Sequence, residues 1–255
     1  MPALSASGRR TLNVVFAITQ ALVPALPALG YGITVGARDG FASPPEVPAG
    51  YAFSIWGVIF LLSLIYAVVQ VLPSARATRL YAQIGTPSWV LFALSTLWMM
   101  VAQFDGPTAL LLVIILAMLA IALRLLLEVS ATSARQEDVP GRQLLAVLFG
   151  LYAGWLSLAA FLNISTFLRE QDLAPLGLAN WQYAIAILLP AALLVAVMLG
   201  RSRGQGWYLI AAVWGLAGVV VANMDAALPQ AYVAVAAASL AVLLSAIALF
   251  SRREA

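Results

Sequence analysis

Cysteine, histidine and lysine are all missing from this 255-residue chain, and charge of either sign is scarce. Without cysteine there are no disulfides and no thiol nucleophile. Without cysteine and histidine together there is no Cys/His zinc site and no His or Cys axial ligand for haem iron. The commonest general base is gone as well. Charged residues make up 9% of the chain and hydrophobic ones 64%, against roughly 25% charge in an average soluble domain. Water is therefore not the main solvent. The formal charge of +3 does not point to nucleic acid, because the arginines are spread over short gaps rather than gathered on one face.

What the chain does have is eight apolar stretches, most about as long as a bilayer core is thick. Span 1 runs from Thr11 to Leu29, with Pro24 and Pro27 near its far end. The polar Met1–Arg10 segment imitates a signal peptide, but no clear cleavage site follows, which predicts a retained span. A Gly- and Pro-rich loop, Gly30 to Gly50, carries Arg38, Asp39 and Glu46. Span 2 is Tyr51 to Leu72, span 3 about Pro87 to Phe104, and span 4 about Pro107 to Leu127. Only Asp105-Gly106 separates the last two, which predicts a tight antiparallel hairpin. Span 5 covers Gln143 to Leu168, span 6 Trp181 to Leu199, span 7 Gly206 to Asn223 and span 8 about Gln230 to Phe250. The fold class is therefore an all-α integral membrane protein with eight transmembrane helices.

The thirteen arginines set the expected orientation. Arg9, Arg10, Arg76, Arg79, Arg124, Arg135, Arg142, Arg201, Arg203, Arg252 and Arg253 fall at the termini or in alternate gaps. Only Arg38 and Arg169 fall on the other side. The positive-inside rule then places both termini in the cytoplasm, in a multi-pass protein of the inner (plasma) membrane. Spans 3 and 7 share a pattern, Trp89, Trp98 and Asp105 against Trp207, Trp214 and Asp225. It suggests a four-plus-four duplication, although interfacial tryptophans and a turn acid are also ordinary membrane design.

No span centre contains Asp, Glu, Arg or Lys. A proton-driven carrier needs a titratable relay at depth, so that class is disfavoured. Glu46, Asp105 and Asp225 are the outward-side acids an enzyme could use, and all read as loop residues; no catalytic residue is assigned. Arg124 and Glu128 stand one turn apart and are expected to pair.

The spans are otherwise rich in aromatics and isolated amides. In span 2, Phe53, Trp56, Phe60 and Ser63 share a helical stripe. Such a stripe can wall a flat apolar ligand, and on periodicity alone it reads as a packing face. In span 5, Gly150 and Gly154 form a small-xxx-small pair that admits a close helix neighbour, within the bundle or in a homodimer. Tyr152, Trp155 and Asn163 add polar edges, and a buried Asn is either interhelical glue or a ligand contact.

These blocks resemble the tryptophan-rich sensory protein family, the bacterial relatives of the mitochondrial translocator protein (peripheral benzodiazepine receptor type). Pro48, Phe53, Trp56, Gly57 and Phe60 match its second-helix opening. Ser95-Thr-Leu-Trp98 corresponds to an Asn-x-x-Trp in the third helix. Tyr152, Trp155, Ala159, Leu162 and Asn163 match the fifth-helix pattern. The departures are Leu151 for a family proline, Ser95 for the Asn, and a long Gly/Pro insertion without the usual Trp before span 2.

The resemblance covers about Thr11 to Leu168 and implies an extended form of the family. Residues 1–168 would form a translocator-protein-like five-helix bundle, and residues 169–255 three additional transmembrane helices. It implies a membrane sensor or binding protein for a flat apolar ligand, a tetrapyrrole such as a porphyrin or a sterol-like lipid. Trp56, Phe60, Trp98 and Trp155 would stack on that ligand, and Tyr152 and Asn163 would bond its polar edges. No metal site and no required cofactor is expected beyond a bound porphyrin-type ligand. The expected partners are the lipid bilayer and that apolar small molecule. A small-molecule transporter or exporter is the alternative reading.

Overall fold

A computed structural model describes residues 5–35, 43–135, 139–173 and 177–253, and among these there is no β-strand. Arg38 and Asp39 lie outside the described residues. Eight of the helices are long and apolar enough to cross a membrane. Backbone groups in lipid find no water, so each crossing must satisfy its own hydrogen bonds, which the helix does.

Span 1 is α1 (Ala6–Leu22), which tightens into a 3-10 helix, Val23–Leu29. Pro24 and Pro27 lack the N–H that would continue α-helical bonding, so the tighter turn follows where the sequence places them. Gly30, at φ 85°, caps this end. A 3-10 turn, Gly50–Ser54, leads into α2 (Ile55–Val69), and a short α3 (Pro73–Arg76) follows. Then come α4 (Arg79–Gln103), α5 (Thr108–Ala134) and α6 (Arg142–Glu170). The chain ends with α7 (Asn180–Arg201), α8 (Gly206–Asn223) and α9 (Tyr232–Arg253).

Two predicted boundaries are corrected. Span 3 does not start at Pro87; α4 begins at Arg79 and carries Pro87 inside it. Side-chain donors, two of them from α1, bond carbonyls of the turn before the proline. Arg9 donates to the Ala82 carbonyl at 3.0 Å, Asn13 Nδ2 to the Gly85 carbonyl at 2.8 Å, and Ser88 Oγ to the Ile84 carbonyl at 2.7 Å. Span 4 does not stop at Leu127 either, since α5 runs on to Ala134. Arg124 and Glu128 therefore pair within the helix, Nε to Oε1 at 2.8 Å. At that exposed position the pair contributes little to stability.

The centre of the bundle is α6. It is buried on all sides from Phe149 to Ala160, with α5, α8, α7 and α2 packed around it. Gly150 and Gly154 face α8 of the same chain: a Cβ on Gly150 would lie 2.8 Å from Trp207 Cβ, and one on Gly154 2.8 Å from Ala211 Cβ. The pair thus serves a contact inside the bundle. Two polar ties reinforce it, Gln205 Nε2 to the Ala146 carbonyl at 2.7 Å and Tyr208 Oη to Ser157 Oγ at 2.9 Å. One continuous cluster of buried apolar side chains runs from Ala17 on α1 to Ala248 on α9.

Replacing Gly154 by Leu should force α8 away from α6. Overpacking of this kind costs about 1–3 kcal/mol, read as a lower thermal midpoint in detergent. Gly57→Leu, at a position with open space around the added carbon, should leave the midpoint nearly unchanged.

Candidate functional site

A cavity of about 720 Å³ opens at the end of the bundle that holds the α4–α5 turn and the C-terminus of α6. One stripe of α6 forms its longest wall: Trp155, Ala159, Leu162, Asn163, Thr166 and Arg169, spaced three and four residues apart as one helical face requires. At 1.5 Å per residue that stripe extends over about 21 Å, so the cavity reaches from the helix end to the middle of α6. Trp98 and Ala102 of α4, with Leu111 and Ile115 of α5, form the opposite side. Trp56 and Phe53 close it from the start of α2, and Ile33, Pro44 and Val47 come from the preceding loop. None of its lining residues belongs to α7, α8 or α9.

The structure brings four of the six sequence-predicted site residues together around this space: Trp56, Trp98, Trp155 and Asn163. Phe60 and Tyr152 stand behind the wall. Phe60 stacks on Trp56 with centroids 5.3 Å apart, and Tyr152 meets the same indole edge-on at 5.8 Å. Tyr152 is fully buried and donates its hydroxyl to Gln20 Oε1 of α1 at 3.0 Å. These two residues hold Trp56 in place. Phe53 and Trp56 in turn meet Trp155 edge-on at 5.6 and 6.3 Å. Each such aromatic contact adds about 0.5–1.5 kcal/mol beyond its buried area, so the inner end of the cavity is stiff.

Asn163 Nδ2 donates to the Ala159 carbonyl at 2.9 Å on its own helix. The bond makes no link to another helix, and it leaves Oδ1 without a partner among the described residues. The indole N–H groups of Trp98 and Trp155 are buried and also lack a partner there. The inner half of the cavity is therefore aromatic, with a few unused polar atoms beside it.

The outer half is polar, and sequence reading missed it. Glu46, expected to be an ordinary loop acid, is 1% exposed and paired with Arg169. Its Oε1 accepts from Arg169 Nε at 3.1 Å, from Nη2 at 3.0 Å and from Ser165 Oγ at 2.5 Å. Oε2 accepts from Nη2 at 3.2 Å. The guanidinium also sits 4.3 Å from the ring centroid of Tyr183 on α7 and donates to Asn180 Oδ1 at 3.3 Å. Beside it, Thr108 donates to Glu170 Oε2 at 2.6 Å, joining the start of α5 to the end of α6. The signal was present in the sequence: Arg169 is one of two arginines that break the positive-inside pattern. A cation kept against that bias has a specific partner.

Of the tryptophans in the suggested repeat, Trp98 lines the cavity while Trp89 stacks on Phe16. Trp207 and Trp214 are both partly exposed. Their surroundings are unlike, and a duplication draws no support from them.

The helix set and this pocket define a polytopic helical membrane protein with an aromatic-walled cavity at one end. A family model described as TSPO-like protein matches residues 14–250, and the chain belongs to that family. The match runs through all eight spans rather than the first five alone. Neither a curated protein nor a solved structure matches the chain significantly.

The two partners of the buried pair should differ in cost when removed. Arg169→Ala strands a carboxylate that is 1% exposed, and losing one partner of a buried pair costs about 3–5 kcal/mol. Glu46→Ala should cost clearly less, because Arg169, 25% exposed, can extend toward water. Thermal midpoints of the two variants in the same detergent check the order.

Proposed function

We propose that the protein binds a flat, largely apolar small molecule in this cavity, a tetrapyrrole such as a porphyrin or a sterol-like lipid. The observation that carries the reading is the convergence of Trp56, Trp98 and Trp155, from three separate helices, on one space of about 720 Å³. That size lies within the range of small-molecule pockets, about 300–1,000 Å³. The aromatic inner half offers ring faces and edges to an apolar body, and Asn163 offers an amide oxygen. The polar outer half suits a ligand with hydrophilic substituents at one edge. With no histidine or cysteine in the chain, a bound porphyrin is held without iron ligation by those residues.

The transporter alternative draws less support. Pro190 lies within a continuous α7 and faces outward, and Pro24 and Pro27 sit at the end of span 1. None of them lines the cavity, whereas alternating-access carriers build their sites on broken helices near mid-depth. We further propose that the protein resides in the inner (plasma) membrane with both termini cytoplasmic, following the arginine bias. The cavity then opens on the opposite face.

Titration of the detergent-solubilised protein with protoporphyrin, read by tryptophan quenching, tests the ligand. Saturable binding is expected, with affinity several-fold weaker in Trp155→Ala and in Asn163→Ala and less affected in Phe60→Leu. The affinity decides, since Trp155→Ala also lowers the starting signal. No saturable binding in the wild type, or affinities unchanged in both variants, would remove the tetrapyrrole site.

A further inference from the structure

The cavity wall from Pro44 to Phe53 is irregular backbone up to Gly50 and a 3-10 turn beyond. Such a segment satisfies only part of its own polar groups, through the Val47 N–H to the Pro44 carbonyl and the Ala52 N–H to the Ala49 carbonyl, both at 2.9 Å, and the rest need partners elsewhere in the protein. Those partners come largely from α8. Asn223 Nδ2 donates to the Pro45 carbonyl at 2.8 Å, and Trp214 Nε1 to the Ala52 carbonyl at 2.8 Å. The Ala49 N–H donates to the Gly218 carbonyl at 3.0 Å.

The approach is close. A Cβ on Gly218 would stand 2.7 Å from Pro48 Cβ and 2.8 Å from Ala52 Cβ. Residues 45, 48, 49 and 52 thus face α8, while Pro44, Val47 and Phe53 face the cavity. Asn223 is buried, and its other bond is to the Val219 carbonyl of its own helix.

We infer that Trp214, Gly218 and Asn223 of α8 are positioning residues for the pocket: they hold the Pro44–Phe53 segment as its retaining wall and so set how tightly the cavity keeps its ligand. None of the three lines the cavity. A role is thereby assigned to α8, which contributes no lining residue to the cavity. The affinity part of this inference rests on the ligand reading above; the retaining role does not.

The absence of cysteine makes the test direct. A single Val47→Cys is introduced on the wall, and its alkylation by a water-soluble maleimide is timed in detergent. The rate is compared among the otherwise unchanged chain, Trp214→Phe, Asn223→Leu and Gly218→Ala, with Val242→Ala on the exposed face of α9 as control. Size-exclusion profiles confirm that each variant is folded. Trp214→Phe keeps a ring at the site while removing the bond. Gly218→Ala places a better helix former in α8, so any loosening comes from displacement of the segment.

Alkylation several-fold faster in the three α8 variants and unchanged in the control is expected. Protoporphyrin should also dissociate several-fold faster from the three variants. Alkylation rates equal to the parent in all three overturn the retaining role. Faster alkylation with unchanged dissociation overturns the link to ligand retention. If the parent binds no protoporphyrin, the ligand reading falls, and the alkylation rates still decide the retaining role.

Discussion

The close approach of α6 and α8 is the contact on which the rest of the bundle depends. Lipid tails are as apolar as leucine, so helices in a bilayer gain little from hiding apolar surface against one another. They associate through tight packing and a few interhelical hydrogen bonds. Gly150 and Gly154 permit that packing, and Tyr208–Ser157 and Gln205–Ala146 add the bonds. With α8 seated, its far end reaches the segment before α2, and α6 turns its opposite stripe toward α4 and α5. The gap left between them is the cavity.

The pocket divides along α6 into an aromatic inner part and a charged outer part, and the division follows from depth. An ion pair in the middle of the bundle would carry a large desolvation cost. At the helix end the guanidinium of Arg169 remains partly exposed while Glu46 is enclosed. The pair joins α6 to the loop, and Tyr183 and Asn180 join it to α7. One side chain thereby connects three elements of the chain at the mouth of the pocket.

Much of this was legible beforehand, and the reason differs from element to element. Eight spans follow from apolar run length, because lipid thickness leaves little choice. Trp155 and Asn163 came from the family pattern that the fifth span resembles, and helical spacing through Ala159 puts both on one face. The same rule cannot separate a residue that borders the cavity from one layer behind it, which is where Phe60 and Tyr152 lie. It also cannot foresee a contact between Glu46 and Arg169, 123 residues apart, since loop geometry is set by tertiary partners. Pro87 misled the boundary of span 3 because α4 continues through it, in a turn that Arg9 and Asn13 of another helix also bond.

The amides of α1 carry a consequence for how the chain is made. Asn13 bonds the Gly85 carbonyl, 72 residues later, and Gln20 accepts from Tyr152, 132 residues later. Both partners lie later in the chain than α1, so α1 is made before the carbonyl and the hydroxyl that its amides meet in the folded bundle. Until then Asn13 keeps the bond of its Nδ2 to the Arg9 carbonyl of its own helix, at 3.1 Å, while Gln20 waits for Tyr152. Span 1 thus completes its contacts only after α4 and α6 have been made, and closure of the bundle around Trp56 waits on α6.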